Sequence, residues 1–276
     1  MNYRGALRKM KVTLQADGRV GYHLPLGEDS RVPLVDWLGH SLTLVYQGEI
    51  HCIHCGRKTG KSFNQGYCFP CFRKLARCDR CIVKPELCHH DQGTCREPEW
   101  ARANCFQPHV VYLANASDLK VGITRKSQLP TRWIDQGATQ ALPILEVASR
   151  YLAGLVEVVM KRHVSDRTHW QRMLKGEAEP LDLSAERDRL LDQCWDEIQA
   201  AANGFGSNAI RVLADARALS IRYPILEYPS KVKAFNFDKQ DEVGGALHGI
   251  KGQYLIFDQG VVNVRKFAGY EVALKA

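Results

Sequence analysis

Two pairs of cysteines in the first third of the chain have the spacing of a metal site. Cys52 and Cys55 form one Cys-x2-Cys pair, and after twelve residues Cys68 and Cys71 form a second. Thiolates two residues apart reach one ion from a tight backbone turn, and two such pairs complete the tetrahedron that zinc prefers, with zinc–sulfur distances of about 2.3 Å. Because four protein ligands leave no open position, the pattern predicts a structural zinc ion that a small module needs in order to fold. An iron–sulfur cluster or a redox dithiol is the competing interpretation.

A second group of potential zinc ligands follows at once. Its members are Cys78, Cys81, Cys88, His89, His90 and Cys95. We expect the four cysteines to bind a second zinc ion, and either histidine is the alternative to one of them. Cys105 is a further candidate or a free thiol. Nine of the ten cysteines lie between residues 52 and 105 without any export signal, which favours metal over disulfides.

The net charge of +8 is concentrated beside these cysteines. Between Cys52 and Lys84, eight lysines and arginines stand against Asp79 alone. Such clusters bind phosphates, whose counterions are released when cations replace them. The predicted nucleic-acid contacts are Arg57, Lys58, Lys61, Arg73, Lys74 and Arg77. One alternative is that these charges only offset the negative charge of the zinc–thiolate site, and another is that they meet an acidic protein.

No run of the sequence approaches the roughly 18 consecutive apolar residues that a membrane helix needs. The first residues are mixed and polar, unlike the apolar core of a signal peptide. We therefore expect a cytoplasmic protein that binds DNA or RNA and no membrane. The sequence does not set the oligomeric state.

Both ends of the chain have the alternating pattern of antiparallel strands. Residues 11–14 and 41–46 alternate near the start, and residues 253–257 and 261–265 flank a turn at Asp258-Gln259-Gly260 near the end. Since neither end alone can bury a sheet, we expect them to meet in one small barrel or sandwich. The predicted segments are an N-terminal β segment (1–50), a zinc-binding module (51–105), a central domain with a helical extension (106–233) and a C-terminal β segment (234–276) that packs on the first.

The central segment is predicted to begin with a hairpin and to continue as helices. Strands at 109–113 and 119–124 are joined by the turn Asn115-Ala116-Ser117-Asp118. Farther on, Ser184 is the expected cap of a helix whose apolar positions include Leu190, Cys194 and Ile198. That spacing makes Cys194 a core thiol rather than a ligand.

The hairpin carries a resemblance to the GIY-YIG nuclease superfamily, which covers about residues 109–175. Val110-Val111-Tyr112 occupies the place of the first signature, and Lys120-Val121-Gly122-Ile123-Thr124 that of the second. The chain is also similar to a bacterial group of uncharacterised zinc-containing proteins (DUF2797-like), including Gly252-Gln253-Tyr254-Leu255 and Gly269-Tyr270. The superfamily resemblance implies a GIY-YIG-like mixed sheet with helices in the central segment. Together with the strand pattern of the two ends, this predicts an α+β fold in which that sheet and the zinc-knuckle module are inserted between the end strands.

The superfamily resemblance also implies catalytic roles. Tyr112 would accept a proton from the attacking water or orient it, Arg132 would stabilise charge on the phosphate, and Glu157 would hold one Mg²⁺ or Mn²⁺ ion. Lys120 stands where the second signature has its tyrosine. Phosphodiester hydrolysis needs such an activated nucleophile, a cation and a divalent ion.

Each of these residues also has an ordinary structural interpretation. Tyr112 could pack a strand, Arg132 could pair with Asp135, and Glu157 could pair with Lys161 one helical turn later. The sequence thus predicts a metal-dependent nuclease with structural zinc. The alternative is a zinc-stabilised module that binds nucleic acid without cleaving it.

Overall fold

The structure is a computed structural model that describes residues 2–27 and 30–275. Its strands are β1 (Asn2–Ala6), β2 (Lys11–Leu14), β3 (Val20–Leu26), β4 (Ser30–Pro33), β5 (Ser41–Ile50), β6 (His109–Asn115), β7 (Leu119–Arg125), β8 (Gln140–Val147), β9 (Ile210–Val212), β10 (Leu219–Ser220), β11 (Glu242–Lys251), β12 (Tyr254–Phe257), β13 (Gly260–Asn263) and β14 (Tyr270–Lys275). Its α-helices are α1 (Phe69–Lys74), α2 (Pro98–Asn104), α3 (Thr131–Asp135), α4 (Arg150–Met160), α5 (Trp170–Lys175) and α6 (Leu183–Ala201). Short 3-10 turns lie at Val35–Trp37, Ala76–Cys78, Arg80–Ile82, Pro85–Leu87, Lys126–Gln128 and Val264–Phe267. The predicted α+β class is confirmed.

The two ends of the chain meet in one sheet, as expected. Its strand order is β1-β14-β5-β11-β12-β13, with antiparallel pairs throughout. In its centre Leu44 on β5 lies opposite Leu274 on one side and Val243 on the other. All three side chains are buried, because residues that lie directly opposite one another on neighbouring strands point to the same face of the sheet. A smaller sheet, β2-β3-β4, contributes Leu24 and other residues to the same hydrophobic core.

The central sheet has the order β10-β8-β6-β7, and β9 pairs with β8. Its strand pairs are antiparallel, and one isolated parallel bridge joins Lys120 to Ser165. The predicted hairpin is confirmed as β6 and β7. The two faces of β6 enter different cores: Tyr112 and Ala114 pack with the end sheets, whereas Val111 and Leu113 pack with residues of α4 and α6. Because alternate residues of β6 point to opposite faces, this one strand packs against the end sheets on one side and against the helices on the other.

Helix α6 spans 19 residues and packs one apolar stripe on the central sheet. Cys194 lies fully buried on that stripe, which confirms it as a core residue. The helix starts earlier than predicted: Asp182, not Ser184, is the cap, and its carboxylate accepts hydrogen bonds from the backbone N–H groups of Ser184 and Ala185. Within residues 2–27 and 30–275 no helix is both long enough and apolar enough to cross a membrane.

Candidate functional site

The first predicted set of zinc ligands converges on one point. The Sγ atoms of Cys52, Cys55, Cys68 and Cys71 all lie within 4.8 Å of one another. Two sulfurs that each lie about 2.3 Å from one zinc ion are at most about 4.6 Å apart. The Sγ atoms of Cys55 and Cys68 are 3.8 Å apart. The cluster therefore fits one tetrahedral zinc ion that would stabilise the surrounding loops.

Local backbone geometry presents these sulfurs. Gly56 adopts a positive φ of 72° directly after Cys55, and its N–H donates to the carbonyl of Cys52 at 2.9 Å, which closes the first turn. Desolvation raises the pKa of the Cys52 thiol, but hydrogen bonds from the backbone of Cys55, Cys68 and His54 outweigh it and bring the pKa to about 6. A thiol that ionises this readily is suited to metal binding, because the thiolate is the ligand.

The second predicted set is not assembled as a group of four cysteines. In the described part of the chain, the converging ligand atoms of this segment belong to Asp79, Cys81 and His89. Cys78 is buried, and it lines a different surface together with Asn64. Burial is the main cause that raises the pKa of its thiol. The Cys78-x2-Cys81 pair is thus divided between two environments.

A cleft of about 1280 Å³ runs between the end sheets, the cysteine-rich segment and the β6–β7 hairpin. Thirteen lysines and arginines line it, against four acidic residues, among the described residues. The cations are Arg8, Lys9, Lys11, Arg31, Arg77, Arg80, Lys84, Arg96, Lys120, Arg125, Arg132, Arg150 and Arg265. So dense a cationic lining in a concave surface attracts a polyanion.

All four predicted catalytic residues line this cleft, although they come from four elements. Tyr112 lies on β6, Lys120 on β7, Arg132 on α3 and Glu157 on α4. The Tyr112 hydroxyl donates to Oε1 of Gln136 at 2.9 Å. Burial raises the pKa of the same phenol, and the nearby charge of Arg132 opposes that rise. The phenol, Gln136 and the guanidinium therefore form one unit at the floor of the cleft.

Gly122 makes room for this unit. It lies directly opposite Tyr112 in the β6–β7 ladder. A Cβ atom at Gly122 would lie 2.6 Å from the Tyr112 hydroxyl oxygen and 2.7 Å from Cζ of its ring. Tyr112 is fully buried, so its ring has no free space to move into.

The electrostatics of the cleft floor are strongly perturbed. Burial, followed by the charge of Asp166, raises the pKa of Glu157 to about 7. Burial, followed by the charge of Arg132, lowers the pKa of Lys120 to about 8, while Glu157 and Asp166 act in the opposite direction. The pKa of Tyr112 is raised by burial and held back by Arg132. Groups with pKa values moved toward neutrality in a cleft are typical of catalytic sites.

The ordinary pairings that the sequence offered are only partly realised. Asp135 pairs with Lys9, and its Oδ1 accepts from Nε2 of Gln253 at 2.9 Å, so it serves the end sheets rather than Arg132. The charge of Lys161 does lower the pKa of Glu157, but less than burial and Asp166 raise it.

The predicted nucleic-acid contacts lie mostly outside the cleft. Only Arg77 lines it, whereas Arg57, Lys58, Lys61, Arg73 and Lys74 are exposed elsewhere on the cysteine-rich segment. Lys58 pairs with Glu49 at 2.6 Å. The cations that sequence reasoning missed are scattered from Arg8 to Arg265, and no local pattern connects them.

A scan against protein-family models matches residues 39–272 to one family. The chain belongs to the DUF2797 family, described as a protein of unknown function. The match covers the zinc cluster, the four cleft-floor residues, the central sheet and most of the six-stranded sheet, whereas β1 to β4 precede it. Searches of the curated proteins and of the solved structures find no match. Membership of DUF2797 therefore assigns no activity to the cleft.

Proposed function

We propose that this DUF2797 protein is a metal-dependent nuclease that hydrolyses phosphodiester bonds of DNA or RNA. One observation carries the proposal: a phenol, an ammonium, a guanidinium and a carboxylate meet at the floor of a cleft lined by thirteen cations among the described residues. The cations would bind the polyanionic strand and place one phosphate at the floor. The similarity of residues 109–175 to the GIY-YIG superfamily supports the same reaction.

Glu157 and Asp166 are the residues that would hold a Mg²⁺ or Mn²⁺ ion. After burial, the charge of Asp166 is the next cause that raises the pKa of Glu157, and both residues line the cleft. Carboxylate oxygens are ligands that Mg²⁺ prefers. When bound, the ion would polarise a phosphoryl oxygen.

The other residues would handle charge and protons. Tyr112, oriented by Gln136 and Arg132, would position the attacking water. The guanidinium of Arg132 would stabilise the charge that grows on the phosphate. Lys120, with a pKa of about 8, holds a proton at neutral pH and would donate it to the leaving oxygen.

The test uses purified protein with single-stranded, duplex and branched DNA and RNA, with Mg²⁺ or Mn²⁺ and without chelator. Glu157→Ala and Arg132→Ala should each lower the cleavage rate at least about 100-fold, which is typical of removing one transition-state contact. Glu146→Gln, outside the cleft, is the matched control and should cleave at the wild-type rate. Equal cleavage by Glu157→Ala would indicate a contaminating nuclease and would reject the proposal.

A second candidate function is binding without cleavage. The observation that favours it is that Tyr112 is fully buried and its hydroxyl already donates a hydrogen bond to Gln136. Its raised pKa also opposes a role as a base. This candidate predicts tight binding with no cleavage in either metal, in the wild type as well as in Glu157→Ala.

A separate experiment assigns the binding surface. We expect reversal of Arg77, Arg80 and Arg96 to glutamate, which changes the cleft, to weaken nucleic-acid binding strongly and to reduce its dependence on salt. The matched control reverses Arg57, Lys58 and Lys61, three cations that lie outside the cleft. A larger loss in the control triple variant would move the binding surface from the cleft to the exposed face of the zinc module.

A further inference from the structure

A second set of metal ligands is assembled in the segment that follows α1, and it differs from the four cysteines that the spacing predicts. One carboxylate oxygen of Asp79, the thiol of Cys81 and a ring nitrogen of His89 all lie within 4.8 Å of one another. This separation is close to that of ligands around one zinc ion, whose bonds to oxygen, nitrogen and sulfur are about 2.0–2.3 Å long. All three side chains are half-buried, so they are held in a defined place.

The two flanking contacts orient these ligands. The Nδ1 atom of His89 lies 2.7 Å from Oγ1 of Thr94, and that hydroxyl also donates to the carbonyl of His89 at 3.2 Å. This leaves Nε2, 3.5 Å from Oδ2 of Asp79, as the nitrogen that faces the other ligands. On the far side, Nε of Arg96 donates to the same Asp79 oxygen at 2.6 Å. Metal-binding histidines and carboxylates usually have such outer hydrogen bonds, which fix their orientation.

The cysteine that the spacing would add to this set points elsewhere. Cys78 is buried and lines the large cleft together with Asn64, and its thiol is not among the converging ligand atoms. Asp79 replaces it as the ligand that the backbone turn presents together with Cys81. Cys88, a half-buried thiol directly before His89 in the chain, is the candidate for a fourth ligand.

We propose that Asp79, Cys81 and His89 bind a second zinc ion. The ion would fix the conformation of the segment between residues 79 and 96, in which Arg80, Lys84 and Arg96 line the cleft.

The same segment supports the helix that carries Glu157. The Arg150 side chain of α4 donates from Nη2 to the carbonyl of Ile82 at 2.7 Å. Gly154 lies so close to the segment that a Cβ atom there would be 2.6 Å from Cβ of Pro85. The second zinc ion would thus fix both a cationic wall of the cleft and the position of α4.

The test is the zinc content per chain, measured by elemental analysis and by native mass spectrometry of protein purified without chelator. The wild type should hold two zinc ions, and Cys81→Ser and His89→Ala should each hold one. His89→Cys should hold two, because a thiolate can replace the imidazole as a zinc ligand.

Two neighbours serve as matched controls. His90→Ala and Cys78→Ser should each keep two zinc ions, since neither residue belongs to the cluster. One zinc ion in the wild type, two in His89→Ala, or one in Cys78→Ser would overturn the assignment. The wild-type measurement and His89→Cys keep the test decisive if His89→Ala does not fold, and neither readout depends on nuclease activity.

Discussion

Glu157 is expected to cost the protein stability at neutral and alkaline pH. The folded state raises its pKa from 4.5 to about 7, with burial as the main cause. As the pH rises, the unfolded chain loses this proton near pH 4.5, whereas the folded chain keeps it until about pH 7. The stability that the carboxyl group contributes is therefore complete below pH 4.5 and is lost as the pH rises through 7. The substitution that removes this penalty while keeping the shape is Glu157→Gln.

The size of the effect follows from the shift. One pKa unit is worth about 1.4 kcal/mol, so the shift sets an upper limit of about 3 kcal/mol on the penalty at pH 8.5. The shift already includes the attraction of Glu157 to Lys161 and Arg132, but the amide of the variant must also be buried, which offsets part of the gain. We therefore expect Glu157→Gln to increase the free energy of unfolding by about 1–2 kcal/mol at pH 8.5 and by almost nothing at pH 4.5.

The assay is urea denaturation, followed by circular dichroism, from pH 4.5 to 8.5 without added divalent ions. Glu146→Gln is the control with the opposite sign, because Lys126 and Arg211 hydrogen-bond to Glu146 and lower the pKa of its carboxyl group. That variant should lose up to about 1 kcal/mol at neutral pH, as expected for a partly exposed ion pair. A Glu157→Gln protein that is less stable than wild type at pH 8.5, or whose gain does not depend on pH, would refute the reasoning.

Three other predictions follow from single contacts. Chelation of zinc, or Cys55→Ser, should unfold the segment around the first cluster, which circular dichroism and proteolysis would detect; unchanged protection would contradict structural zinc. Burial lowers the pKa of His109 from 6.5 to about 4, so the folded chain resists protonation, and the free energy of unfolding should fall as the pH drops from 6.5 toward 4. His109→Gln should flatten this pH dependence in acid titrations of unfolding. An unchanged slope would assign the dependence to other groups. Gly122→Ala should destabilise the fold by about 1–3 kcal/mol in thermal melts by displacing Tyr112, and a neutral effect would mean that the phenol can move.

Much of the local structure could be predicted from the sequence because its causes are local. Runs rich in β-branched and aromatic residues on either side of a turn predicted β6 and β7, and Cys-x2-Cys spacing predicted the first zinc cluster. Three-to-four spacing predicted that Cys194 is buried in α6. In each case the residues that interact lie within a few positions of one another, or on strands joined by a short turn.

The second metal set shows where local spacing is insufficient. Cys78 and Cys81 have the same spacing as the first pairs, yet their side chains face different environments. The direction of each thiol is set by what packs around it: Cys78 is buried and lines the cleft, while Asp79 and His89 lie beside Cys81. A spacing rule identifies ligands that can reach one ion, but it does not determine which neighbours the fold brings to each.

By itself, the sequence determined the ligands of the first zinc cluster, the central hairpin and the pairing of the two chain ends, and it named Tyr112, Arg132 and Glu157. Only the tertiary structure placed those three residues at the floor of one cleft and brought Arg8 and Arg265 to its walls. The physical reason is that periodicity and spacing act over a few residues. A cleft is formed where β6 packs against sheets built from both ends of the chain, through contacts between residues that are more than 200 positions apart.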